Sequence, residues 1–221
     1  MTADTLLLEE RKYLRDLLRQ SDGSQAVVLV GSAARGTYFA PLSDIDVLVV
    51  GDVVPPRAPV GVQVLLVSLE ELLSRVAAGD EFLQWALRFG TPLKGRALWE
   101  TLRRQALEGA AWPDPGTKVD QAARRNRMAK ALFDMGDLDA AQEETRFALS
   151  HLARARLLSA HVFPLSRPEL PGQLRELGDA ELAAALQEAN SPDTLPPDRL
   201  RALLVLLEVR LDGQQPAAPG P

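Results

Sequence analysis

The sequence predicts two regions of different class: an α/β unit built on a mixed sheet, then an all-α antiparallel helical bundle. Three observations carry this. Short β-favouring runs crowd into the first part of the chain, VVLV at 27–30, DIDVLVV at 44–50 and VGVQVLLV at 60–67. Trp112-Pro113-Asp114-Pro115-Gly116 then interrupts the chain, because two prolines and a glycine do not continue a helix. Beyond that break, apolar residues recur at the three- and four-residue spacing of a helix face. The expected domains are 1–112 and 113–213, with the Pro- and Ala-rich residues 214–221 a disordered tail.

Each element follows from local signals. Residues 5–20, TLLLEERKYLRDLLRQ, set Leu7, Leu14, Leu17 and Leu18 among charges, an amphipathic helix ended by Ser21-Asp22-Gly23. Strands are expected at 26–30 and 44–50, then an irregular loop over 51–59, which holds three prolines, and a third strand at 60–67. Ser68 caps a helix that begins at Leu69 and has Glu71 at its third position. Gly79-Asp80 ends that helix, 81–89 forms another, a short edge strand or turn surrounds Leu93, and a helix runs from Ala97 to about Ala110.

After the break, Lys118–Met135 carries Val119, Ala122, Ala123, Ala129, Leu132 and Phe133 at helical spacing. Helices are then expected over 138–161, from the SRPELPGQLREL stretch, over 179–190 and over 195–211. Five helices joined by short loops favour an antiparallel bundle.

Composition sets outer bounds. Hydrophobic residues at 46% and charged residues at 25% are an ordinary globular balance. A net charge of −5 argues against general nucleic-acid binding, which asks for a basic face. The absence of cysteine removes disulfides, thiolate catalysis and Cys-based zinc sites, and two histidines leave little for a His-rich metal site. MTADTLLLEERKYL has acidic residues where a signal peptide would want basic ones, and no apolar run reaches the roughly 18 residues of a membrane span. Arginine outnumbers lysine 21 to 4, which reads as a GC-rich bacterial genome, and the expected location is the cytoplasm, away from membranes.

The chemistry centres on residues 27–50. A strand that ends in Gly31-Ser32 offers backbone N–H groups with no side chain in the way, together with a hydroxyl, which is what phosphates require. Side chains alternate along a strand, so Asp44 and Asp46 share one face while Ile45 and Val47 take the other. Two like charges side by side repel unless a cation lies between them, and Mg²⁺ usually takes one or two carboxylates plus substrate phosphates.

Gly31-Ser32, an eleven-residue gap, then Asp-hydrophobic-Asp-hydrophobic from Asp44 resembles the nucleotidyltransferase superfamily related to DNA polymerase β. The wider strings GSAARG and SDIDVLVV resemble the bacterial minimal nucleotidyltransferases and the kanamycin nucleotidyltransferase-like proteins. The helical layout and the FPLSRPELPGQL stretch resemble the C-terminal domain of the latter and the related HEPN helical domains, in which the bundle forms the acceptor-side wall. The resemblance implies transfer of a nucleoside monophosphate, AMP from ATP first among the triphosphates, to a hydroxyl of a small molecule or protein with release of pyrophosphate. Asp44 and Asp46 would be the catalytic residues and would bind Mg²⁺ or Mn²⁺, while Gly31, Ser32 and Arg35 would hold the nucleotide phosphates. For Arg35 a solvated surface arginine is the other reading. A homo-oligomer is left open.

One position departs from the family. A third carboxylate usually stands on the next strand, where this chain has Gln63. An amide is a poor metal ligand beside a carboxylate and is no base near pH 7. Either the chain is a nucleotide-binding protein with a slow or non-catalytic site, or Glu70, Glu71, Asp80 or Glu81 substitutes. Arg124, Arg125, Arg127 and Lys130 crowd one helix, a solvated face first and a positive wall for a triphosphate second. HEPN ribonucleases carry Arg and His five apart, as Arg146–His151 and Arg156–His161 do here. Five residues rotate a side chain by about 140° on a helix, and Phe147 and Leu157 follow the arginines where the motif is polar. Both observations set that reading aside.

Overall fold

A computed structural model describes residues 8–21, 23–37 and 44–213. The expected helix start at 5–7, the loop around Pro41 and the tail at 214–221 lie outside the described residues. The chain divides into two compact units, Met1–Pro113 and Asp114–Pro221.

The first unit is organised by Ala26–Val30 (β1), whose five residues are all buried. β1 pairs antiparallel with Ile45–Val50 (β2) and with Thr91–Lys94 (β4), and β2 pairs parallel with Val62–Val67 (β3). The sheet order is β3-β2-β1-β4, the mixed sheet that the sequence predicts. Alternation does the sorting. Val27, Leu29, Ile45, Val47, Val49 and Val62 pack together with Tyr13, Leu14 and Leu17 of Leu8–Gln20 (α1). Each such aliphatic side chain contributes about 2 kcal/mol on burial, before entropy is charged against it. Against β1 also pack Glu81–Phe89 (α4) and Arg96–Gln105 (α5).

Parallel neighbours need a crossover, and here the proline-bearing residues 51–61 provide it without a helix. Val53 and Ala58 of that crossover lie on the α1 side of the core, where Tyr13 Oη donates to the Pro56 carbonyl at 3.0 Å. Leu69–Ala77 (α3) starts as expected, with Ser68 Oγ accepting from the Glu71 N–H at 3.0 Å. The Glu71 carboxylate turns instead to Arg75, at 2.9 Å. Asp80 likewise caps α4 by accepting from the Leu83 N–H. α5 stops at Gln105 rather than near Ala110.

In the second unit the expected start at Lys118 is corrected to Pro115. Asp114 accepts from the N–H groups of Gly116 and Thr117 at 3.0 and 2.9 Å, and Pro115 opens Pro115–Asp134 (α6). A first-turn proline loses nothing, since its missing N–H would have had no helical partner. Leu138–Ser159 (α7) follows, then a 3₁₀ turn at Arg167–Glu169 and Leu170–Glu176 (α8). Ala180–Ala189 (α9) and Pro197–Asp212 (α10) complete the unit. Its core joins Leu149, Leu152 and Leu157 of α7 to Leu174, Leu186 and Leu207. Gln142 ties α7 to the α9–α10 connection, donating to the Ser191 and Asp193 carbonyls and accepting from the Leu195 N–H at 2.7 Å. His161 lies past the end of α7, at φ 56°, and so is not on the straight helix its spacing to Arg156 presumed. Among the described residues no helix is long and apolar enough to cross a membrane.

Candidate nucleotide site

The last residue of β1, Val30, stands opposite Asp46 in the antiparallel register. The chain leaves the sheet at Gly31, with φ +66°, into the single turn Gly31–Arg35 (α2). A Cβ built on Gly31 would overlap Asp46 Oδ2. Glycine is therefore required twice here, for its backbone angle and for the room its missing side chain leaves to the carboxylate. α2 closes on a left-handed Gly36, and the Thr37 N–H donates to the Ser32 carbonyl at 3.0 Å. Among the described residues the Ser32 hydroxyl makes no hydrogen bond.

Asp44 lies at the exposed entry of β2, and Asp46 is half-buried one pleat further in. The parallel register sets Gln63 beside Asp46. The Gln63 Nε2 donates to Asp44 Oδ2 at 3.0 Å. Gly31, Asp44, Asp46 and Gln63 thus meet at one rim of the sheet, with Ser32 the next residue along from Gly31. Arg35, exposed, has its guanidinium over the Phe89 ring at 5.2 Å, which ties it to the end of α4.

None of the carboxylates offered as substitutes joins Asp44 and Asp46 in a metal-binding group among the described residues. Arg75 binds both Glu71 and Asp80. Glu70 borders a cavity of about 310 Å³ shared with Gly51, Asp52 and Ser68. That cavity lies where β2 and β3 end, at the opposite end of the strands from Asp44. Glu81 is buried in the first turn of α4. Among the described residues no three His, Cys, Asp or Glu side chains form a metal-binding group.

In the second unit, the basic residues of α6 are partly engaged within the bundle. Arg125 donates to both oxygens of Glu144 at 2.9 and 3.0 Å and lies over Phe147, while Lys130 pairs with Glu208. Arg124 and Arg127 are exposed, and Asn126 is buried. His151 is half-buried.

Sequence reasoning did not find the Gln63–Asp44 hydrogen bond or the Phe89 platform under Arg35. The first had a signal, since strand alternation puts Gln63 on the face of the carboxylates once β3 is paired in parallel. The second had none, because Phe89 is more than fifty residues from Arg35.

The mixed sheet thus joins a Gly-Ser turn to two carboxylates at one rim. Residues 11–108 match the family model described as a nucleotidyltransferase domain, and that match supports the nucleotidyltransferase superfamily for this part of the chain. Among solved structures, the chain is similar to a nucleotidyltransferase-like protein from Exiguobacterium sibiricum 255-15. The identity is 18%, the TM-score 0.49, and the likeness covers 94% of this chain and 76% of that one. No curated protein matches the chain.

Proposed function

We propose that the chain is a metal-dependent nucleotidyltransferase that moves a nucleoside monophosphate, AMP from ATP, onto a hydroxyl of a small molecule or protein. The observation that carries this reading is the meeting of Asp44 and Asp46 with the Gly31-Ser32 turn, inside the segment that matches a nucleotidyltransferase domain.

The donor set suits a hard divalent cation. Two carboxylates on one strand face, beside a backbone opened for phosphate, are the ligands Mg²⁺ or Mn²⁺ accepts together with substrate oxygens. Asp44 and Asp46 would hold it, and when bound it supplies charge neutralisation at the phosphates. The N–H groups of Gly31 and Ser32 and the Ser32 hydroxyl bind the β- and γ-phosphates. Arg35, steadied on Phe89, adds positive charge from α2. The acceptor hydroxyl oxygen attacks the α-phosphorus and loses its proton to water, the bond from that phosphorus to the bridging oxygen breaks, and pyrophosphate leaves. Asp44 and Asp46 are the catalytic residues in this reading.

The helical region, 113–213, is read as a kanamycin nucleotidyltransferase-like, HEPN-like domain that selects the acceptor. The arginine-rich, cysteine-free composition fits a bacterial cytoplasmic enzyme. A second reading has one observation in its favour: Gln63, a neutral amide, stands at the third position. In that reading the protein binds nucleotide and transfers slowly or not at all.

The test uses α-labelled ATP with Mg²⁺ or Mn²⁺, the purified protein and a fractionated bacterial extract, with Asp46→Asn as control. Label entering one fraction only with the unmodified protein is the expected result. Nucleotide bound without transfer to any fraction favours the second reading, and neither binding nor transfer with any of the four triphosphates contradicts both.

A further inference from the structure

Resting on the nucleotide-transfer reading above, we propose that the β2–β3 rim is a one-cation site, in which the Gln63 amide stands where a second divalent ion would need its carboxylate. Three observations carry it. The parallel register pairs Gln63 with Asp46, so Gln63 is the β3 residue the sheet delivers beside the two carboxylates. Its Nε2 donates to Asp44 Oδ2 at 3.0 Å, which occupies one lone pair of that oxygen with a hydrogen-bond donor. A donor N–H and a cation exclude each other at the same lone pair. Among the described residues no third acidic or imidazole group joins Asp44 and Asp46.

Charge makes the same point. Two divalent ions about 4 Å apart bring four positive charges into one small volume. Asp44 and Asp46 supply two negative charges, and an amide supplies none. One ion that shares its shell with nucleotide phosphates is balanced by this set. A second one on the acceptor side is not. The acceptor hydroxyl then meets neither a second ion to acidify it nor a carboxylate on β3 to take its proton, so the rate of transfer is limited at that proton rather than at nucleotide binding.

Gln63 is exposed on the edge strand, so a carboxylate there disturbs no core. The experiment is equilibrium dialysis of the full chain with Mn²⁺ and the α,β-methylene analogues of ATP, GTP, CTP and UTP, which do not release pyrophosphate. It reads bound Mn²⁺ per bound nucleotide. The expected ratio is one for the unmodified protein, two for Gln63→Glu or Gln63→Asp, and one for Gln63→Met, which removes the amide without adding a ligand. A ratio of two in the unmodified protein overturns the proposal, as does a ratio of one in both carboxylate variants or of two in Gln63→Met. Absence of nucleotide binding by the folded, unmodified protein instead overturns the nucleotide reading on which the proposal rests. In transfer assays the two carboxylate variants are expected to gain on the order of tenfold or more in rate, with the nucleotide affinity little changed.

Discussion

In the helical unit Asp179 is buried, and its carboxylate meets the guanidinium of Arg210 through two hydrogen bonds of 3.2 Å while it caps α9. In the sheet unit Asp44 is exposed, its donor is the neutral Gln63, and Asp46 follows two residues later on the same face. The first arrangement pairs opposite charges inside the fold and adds a helix cap. The second sets two carboxylates on one strand face, one of them accepting from a neutral amide. One unit uses carboxylates to hold itself together. In the nucleotide-transfer reading, the other presents them to a cation.

The largest expected effect lies at the second arrangement. Asp44→Asn or Asp46→Asn should lower nucleotidyl transfer by about 100-fold or more, because charge neutralisation at the phosphates amounts to several kcal/mol. Thermal melting should change little, since Asp44 is exposed and Asp46 half-buried at the sheet rim. A melting point that falls steeply would mean that these carboxylates have a structural task like that of Asp179.

Asp179→Ala comes next. It removes the α9 cap and one of the two carboxylates on Arg210, which keeps Glu181 and is one-third exposed, and should cost about 1–2 kcal/mol in denaturant unfolding. A loss under about 0.5 kcal/mol would break the contrast.

Gly31→Ala should cost roughly 1–2 kcal/mol through its positive φ, and should weaken nucleotide binding as well, since the new Cβ displaces Asp46. Nucleotide affinity unchanged in a folded variant would separate Gly31 from the site.

Asp114→Ala should cost about 1 kcal/mol as a lost helix cap. The Thr117 hydroxyl first, and then the N–H groups of Gly116 and Thr117, hold the Asp114 carboxyl below its usual value. Its contribution is therefore complete above the unfolded value of about 3.9 and disappears as pH falls through the folded one. Asp114→Asn should keep most of the cap at neutral pH, and comparison of the two acid unfolding curves isolates that term.

Much of the sheet unit was legible because its signals are local. The strands at 26–30, 45–50 and 62–67 show in their β-branched runs, and Ser68 and Asp80 announce the helices they cap. Pro115 was harder: proline reads as a breaker, yet behind Asp114 it opens a helix. The pairing of β3 with β2 was not legible, since a parallel neighbour is fixed by a crossover rather than by a turn motif. For that reason Gln63 could be assigned a strand position but not a hydrogen bond. Arg35 on Phe89 joins residues far apart in sequence, which periodicity does not reveal.

The central claim is that a cation with nucleotide sits at the Gly31–Asp46 rim and not at the 310 Å³ cavity beyond Gly51 and Ser68. Paramagnetic broadening by Mn²⁺ with nucleotide, read on the amide signals of ¹⁵N-labelled protein, separates the two directly. Six residues of strand span about 20 Å, and the effect falls off steeply over that distance. Loss of the Gly31, Ser32, Ile45 and Gln63 signals while those of Gly51 and Ser68 persist is the predicted result. Broadening centred on Gly51 and Ser68, or none at the rim, would contradict it.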